Sequence, residues 1–229
     1  MTSPCSIYQQ IQIVSQRTPQ AVAILSPGRE CISYQALARH LQSVALELNQ
    51  LGFGSSDRVA VVLPNGPEAA TAFLAVSAVC ACAMLNPAYR LEDFKFSLQD
   101  LRVKVVLTDR EAGHPCRLAA DELGLPVVDL LPDPRAAGLF RLQSSLAREE
   151  RISEPALSSL DEVAMVLHTS GTTARPKIVP VSHRIFANTA RSFAESYALQ
   201  AADRSLNMMP LFHISALVNS LAAPLCQGG

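Results

Sequence analysis

The sequence predicts an α/β fold of mostly parallel sheets flanked by helices. Three observations carry that prediction. Arg58–Leu63 and Val103–Thr108 are continuous apolar runs bounded by turn residues, the pattern of strands covered on both faces. Segments with helical spacing of apolar residues lie between such runs, and alternation of strand and helix implies right-handed crossovers and a parallel sheet. The 229 residues are 49% apolar with no Trp and 5% aromatic, so alanine and leucine fill the core, as they do where helices pack on a sheet.

The elements follow in order. Ile7, Ile11 and Val14 fall on one face of a helix over Ile7–Gln16, which Pro19 ends. Ala21–Leu25 reads as a strand, Pro27-Gly28 as a turn and Glu30–Ile32 as its short return. Ser33 caps a helix over Tyr34–Gln50 that Gly52 closes; Leu37, Leu41, Val44, Ala45 and Leu48 form its packing face. After the strand at Arg58–Leu63 comes the loop PNGPE, with Pro67 suited to the first turn of the next helix. The run Ala69–Leu85 falls short of the ~20 strongly apolar residues of a membrane span. It reads as one buried helix reaching Asn86-Pro87. Leu91–Leu101 is an amphipathic helix and Val103–Thr108 a second buried strand. A helix over Pro115–Leu123 and a strand over Val127–Leu130 complete a third unit. Pro132–Pro155 is rich in Pro, Gly, Ser and charge, and reads as an irregular connection with one short helix. The whole of 1–229 divides into a first α/β sub-region and connection over 1–160 and the start of a second over 161–229.

A formal net charge of −1 gives no electrostatic reason to expect nucleic acid or an anionic membrane as partner. The six cysteines include no C-x-x-C pair and no Cys/His pair at zinc spacing, so no metal ligand is assigned. The opening residues MTSPCSIYQQ lack the basic flank and apolar stretch of a secretory signal. Reduced thiols in an intracellular, by default cytoplasmic, protein are therefore expected.

The stretch VLHTSGTTARPKIVPVSH, 166–183, draws the functional reading. Val163–His168 and Ile178–Val181 read as strands joined by a loop from Thr169 to Lys177. That loop holds the hydroxyls of Thr169, Ser170, Thr172 and Thr173, the glycine Gly171, and the cations Arg175 and Lys177. Polyphosphate recognition uses this set: amides and hydroxyls wrap the oxygens, glycine permits close approach, and lysine neutralises charge. Pro176 stiffens the chain before Lys177. By composition alone the same residues also suit an ordinary polar hairpin turn. A P-loop is excluded, because Pro176 precedes the lysine, no Ser or Thr follows it, and an apolar strand comes next.

HTSGTTARPKIVPVSH resembles the phosphate-binding signature of the AMP-forming, adenylate-forming superfamily, which includes acyl-CoA synthetases and 4-coumarate-CoA ligases. Ala174 stands where that family most often has Gly, and Ile178 where Gly is also common. NMMPLFHISAL (207–217) resembles the family's next motif, in which a Pro-aromatic-His segment borders the acyl pocket; Phe212 and His213 match it. LPNGPE (63–68) and LNPAYRLEDFKFSLQDL (85–101) also resemble family segments, closest to the acyl- and coumarate-CoA ligases.

The resemblance implies a two-step ligase using ATP with Mg2+ and coenzyme A. A carboxylate attacks the α-phosphorus to give an acyl-adenylate and pyrophosphate, and a thiol then displaces AMP. Thr169, Ser170, Gly171, Thr172, Thr173 and Lys177 would hold the ATP phosphates, and Phe212 and His213 would line the carboxylate site. No general base is assigned. The family's later motifs for adenine, ribose and magnesium are absent from these 229 residues, so the chain reads as a truncated N-terminal part of the large domain, inactive alone. Two further readings stay open: a non-catalytic nucleotide-binding or regulatory isoform, and an amino-acid adenylation domain delivering to a carrier protein. The resemblance leaves a peroxisomal address open, since that signal would lie beyond Gly229.

Overall fold

The computed structural model describes residues 5–149, 151–169 and 176–229. Helix α1 (Ile7–Arg17) begins with a capping box: the Ser6 hydroxyl accepts from the Gln9 amide while the Gln9 side chain accepts from the Ser6 amide. A small antiparallel hairpin of β1 (Val22–Ile24) and β2 (Ile32–Ser33) leads into α2 (Tyr34–Gln50), capped by Ser33 as expected. Gly52, at φ +86°, takes the left-handed conformation that lets the chain leave that helix.

The platform follows as β3 (Arg58–Val62), α3 (Pro67–Ser77), β4 (Ala81–Met84), α4 (Leu91–Asp100), β5 (Val105–Thr108), α5 (Pro115–Glu122) and β6 (Val127–Pro132). Then come β7 (Phe140–Gln143), β8 (Val163–Thr169), β9 (Lys177–Ser182) and α6 (His183–Ser196). A π-helical turn (Ala216–Ala222) runs into α7 (Ala223–Gln227). Seven strands form one sheet in the order β7-β6-β5-β3-β4-β8-β9. Neighbours from β6 through β8 pair in parallel, and the two edge strands β7 and β9 are antiparallel additions.

Alternation along the strands sends side chains to two cores. Val59, Val61, Cys82 and Met165 face α1, α2, α3 and α6. Ala60, Val62, Ala83, Val106 and Val166 face α4 and α5, where Phe94, Leu98 and Cys116 are buried. Phe73 of α3 is fully buried and meets Phe186 of α6 at 5.4 Å between ring centroids. The Tyr34 hydroxyl donates to the carbonyls of Leu225 and Gly229, each at 3.0 Å, and so ties α2 to the last helix.

Two expectations need correction. The run Ala69–Leu85 is not one helix: α3 stops at Ser77, the chain turns through Ala78–Cys80, and Ala81–Met84 becomes β4, a central strand. Small apolar residues satisfy a buried helix and a buried strand equally, and no Gly or Pro marks the turn. The connection over Pro132–Pro155 contains no helix among the described residues but a strand, β7, whose alternating burial of Phe140 and Leu142 places it against β6. The expected boundary at residue 160 falls in the connection entering β8, and β8 joins the same sheet as β3–β7. All six cysteines are free, and burial pushes the thiols of Cys80 and Cys226 up to about 12. No helix among the described residues is long and apolar enough to cross a membrane.

Candidate functional site

Strands β3, β4, β5 and β8 run the same way, so their carboxyl ends share one edge of the sheet, where open α/β folds bind ligands. Both stretches singled out in the sequence lie at this edge. Strand β8 ends at Thr169, and β9 returns from Lys177 directly opposite it. Residues paired in this way project their side chains to the same face. The Thr169 hydroxyl lies 3.5 Å from the Lys177 carbonyl, and Lys177 is exposed. A hydroxyl and an ammonium carried on one face by such a pair can both donate to phosphate oxygens. The expected ligands Ser170, Gly171, Thr172 and Thr173 lie outside the described residues.

The strand end is held from its other face. His168 points to the side of Val166, towards α4; its Nε2 lies 2.8 Å from Asp100 Oδ2, and its ring stacks on Phe96 with centroids 5.6 Å apart. Neither partner is legible as such in the sequence, although both fall inside the segment 85–101 that carries the family resemblance.

Phe212 and His213 sit on a separate segment at the same edge. Phe212 is half-buried, His213 is exposed, and their ring centroids are 4.6 Å apart. Asn65, in the loop after β3, fixes this segment: its Oδ1 accepts from the Leu211 amide at 3.0 Å and its Nδ2 donates to the Met209 carbonyl at 3.3 Å. Sequence reasoning placed Asn65 within LPNGPE without giving it a role. A cavity of about 260 Å³ opens beside the segment, lined by Asn65, Pro67, Ala70, Leu211, Leu221 and Leu225 among others. Phe212 and His213 are not part of that lining, and no hydrogen bond among the described residues links them to Thr169 or Lys177.

A family model for AMP-binding enzymes matches residues 11–229. The chain belongs to the AMP-binding enzyme family. Among its curated relatives, the protein named Probable CoA ligase CCL9 from Humulus lupulus is 33% identical over 209 residues, covering 90% of this chain and 40% of that protein. An oxalate–CoA ligase of Arabidopsis thaliana is 31% identical over 227 residues, covering 95% of this chain and 43% of the relative. The crystal structure of apo MatB from Rhodopseudomonas palustris shares the fold, with a TM-score of 0.77 at 22% identity over 98% of this chain and 44% of that one. The chain thus spans about two fifths of the length of these AMP-binding relatives. Their names make them acid–thiol ligases.

Among the described residues no three His, Cys, Asp or Glu side chains gather into a group able to hold a metal ion.

Proposed function

We propose that this chain supplies the phosphate-binding part of an ATP-dependent carboxylate-activating enzyme. In that reaction the carboxylate oxygen attacks the α-phosphorus of ATP, the α–β bridging bond breaks, and pyrophosphate leaves. The acyl-adenylate then reacts with a thiol, giving a thioester and AMP. Relatives named as CoA ligases favour coenzyme A as the thiol. The observation that carries the reading is the pairing of Thr169 with Lys177 at the carboxyl edge of the sheet, inside the family signature.

Lys177 would neutralise charge that builds on the departing pyrophosphate, and Thr169 would donate one hydrogen bond to it. This is positioning and electrostatics, with no covalent bond to the protein. Asn65 would hold Phe212 and His213 where the acid enters. ATP, its magnesium and coenzyme A are substrates of the whole enzyme. The chain spans about two fifths of its curated relatives, and in this reading residues 1–229 by themselves bind nucleotide without turning it over.

The test is ATP binding by calorimetry together with ATP–pyrophosphate exchange on a panel of carboxylates. Saturable ATP binding and no exchange by the isolated chain are expected. Absence of binding refutes the phosphate site, and measurable exchange refutes the inactivity.

A further inference from the structure

Two faces of the same strand end do different things. On one, Thr169 and Lys177 stand opposite each other and face outward. On the other, His168 reaches back to α4, where Asp100 Oδ2 lies 2.8 Å from its Nε2 and the Phe96 ring lies against its own, 28° from parallel. The His168 side chain is 13% exposed and Asp100 38%, so the contact sits at the rim of the core and not in open solvent. Asp100 is the last residue of α4, a helix whose Phe94 and Leu98 are buried against the sheet. Behind the imidazole is thus a rigid element and not a loop.

Among the described residues Thr169↔Lys177 is the outermost pair of the β8–β9 ladder. The end of a two-strand ladder frays unless something besides its own hydrogen bonds holds it. Strand β9 is the sheet's outer edge, and Lys177 through Pro180 are exposed, so packing from that side is thin. The neighbour β4 pairs with β8 through Cys82↔Met165, well back from the end. The His168–Asp100 contact ties the last described residues of β8 to α4 by a side-chain hydrogen bond.

We propose that His168 and Asp100, with Phe96, form a clamp that holds the end of β8 and so positions Thr169 and Lys177 for phosphate. The inference rests on the phosphate reading given above and adds positioning residues to it. His168 touches no phosphate itself: successive residues of a strand project to opposite faces, so an imidazole pointing at α4 fixes the direction in which Thr169 points. A ligand site gains affinity when its donors are held before the ligand arrives.

The experiment is a double-mutant cycle of His168→Ala and Asp100→Ala on the full chain, with His168→Gln as the replacement that keeps a donor for Asp100. Pyrophosphate affinity is read by calorimetry, urea midpoints check the fold, and amide exchange is followed at Thr169 and Lys177 without ligand. Each alanine variant is expected to bind pyrophosphate roughly five- to tenfold more weakly, the scale of one typical net hydrogen bond, because the lost contact acts on the ligand only through Thr169 and Lys177. The double variant should be no weaker than either single one, His168→Gln should recover most of the affinity, and exchange at both amides should quicken in step. Unchanged affinity and exchange in His168→Ala, strictly additive losses, or no rescue by glutamine overturns the clamp. A wild-type chain that binds no pyrophosphate instead overturns the phosphate reading, and the exchange rates then decide the clamp alone.

Discussion

Replacing Asn65 with alanine tests how the segment of Phe212 and His213 is held. The substitution removes two hydrogen bonds of unequal worth. The Leu211 amide, on a residue 4% exposed, loses the acceptor that lies 3.0 Å away. A buried donor left without a partner costs about 1–3 kcal/mol. The Met209 carbonyl loses a donor too, but Met209 is 45% exposed and water takes the vacated place at little cost. The total is therefore about 1–3 kcal/mol, and nearly all of it belongs to Leu211. Asn65→Asp keeps the acceptor and should lose well under half as much. Urea unfolding followed by circular dichroism reads both, with the slope checked for constancy. Equal stability of Asn65→Ala and wild type, or equal damage from both variants, refutes the assignment.

Other predictions follow from single contacts. Lys177→Ala should weaken ATP binding by about 10–100-fold in calorimetry, from about 1.5–3 kcal/mol for one charged hydrogen bond, while leaving the urea midpoint unchanged. Gly138→Ala should destabilise by about 1–3 kcal/mol in the same urea assay: φ is +80°, and the new Cβ would lie 3.0 Å from Thr71 Cγ2 and 3.2 Å from the Pro67 carbonyl oxygen. Phe73→Ala should cost about 3–5 kcal/mol through loss of transfer energy and a cavity beneath Phe186. Burial lowers the pKa of His40 from 6.5 to about 4, and its ring meets Phe140 edge-on at 4.4 Å. The unfolded chain then takes up the proton first. Stability should be full above pH 6.5 and fall by up to about 3 kcal/mol as pH drops towards 4. His183, lowered by burial, adds to the same limb. His40→Leu should flatten that limb in urea titrations, and an unchanged slope would count against the assignment.

Helix α2 was legible because local chemistry brackets it: Ser33 caps one end and Gly52 releases the other, whatever packs against its face. The strand character of Ala81–Met84 was not, because an apolar run without punctuation carries no period, and only the parallel pairing with β3 and β8 makes it extended. Strand β7 failed for a related reason: its four residues sit in polar surroundings and acquire meaning from β6. At the candidate site, two flanking apolar runs made the strands legible, but the sequence left Thr169 and Lys177 in the loop, and the structure adds each to its strand as a ladder pair. The partners of His168 and Leu211 were not legible. Asp100 and Asn65 reach them only because the sheet order carries β8 beside β4 and the 209–211 segment over the end of β3.

That sheet order also sets a sequence of events in time. Strands β3–β7 draw on residues 58–143 and can pair among themselves as soon as those residues exist. A chain made from its amino terminus therefore completes five strands before β8 is available, and β4 waits with one edge bare. Docking of β8 against Cys82 is a long-range closure, the slow kind. The hairpin that brings Thr169 and Lys177 is thus the piece that covers the exposed flank of β4. It brings its own stop, for Pro180 on β9 has no amide to offer a further strand.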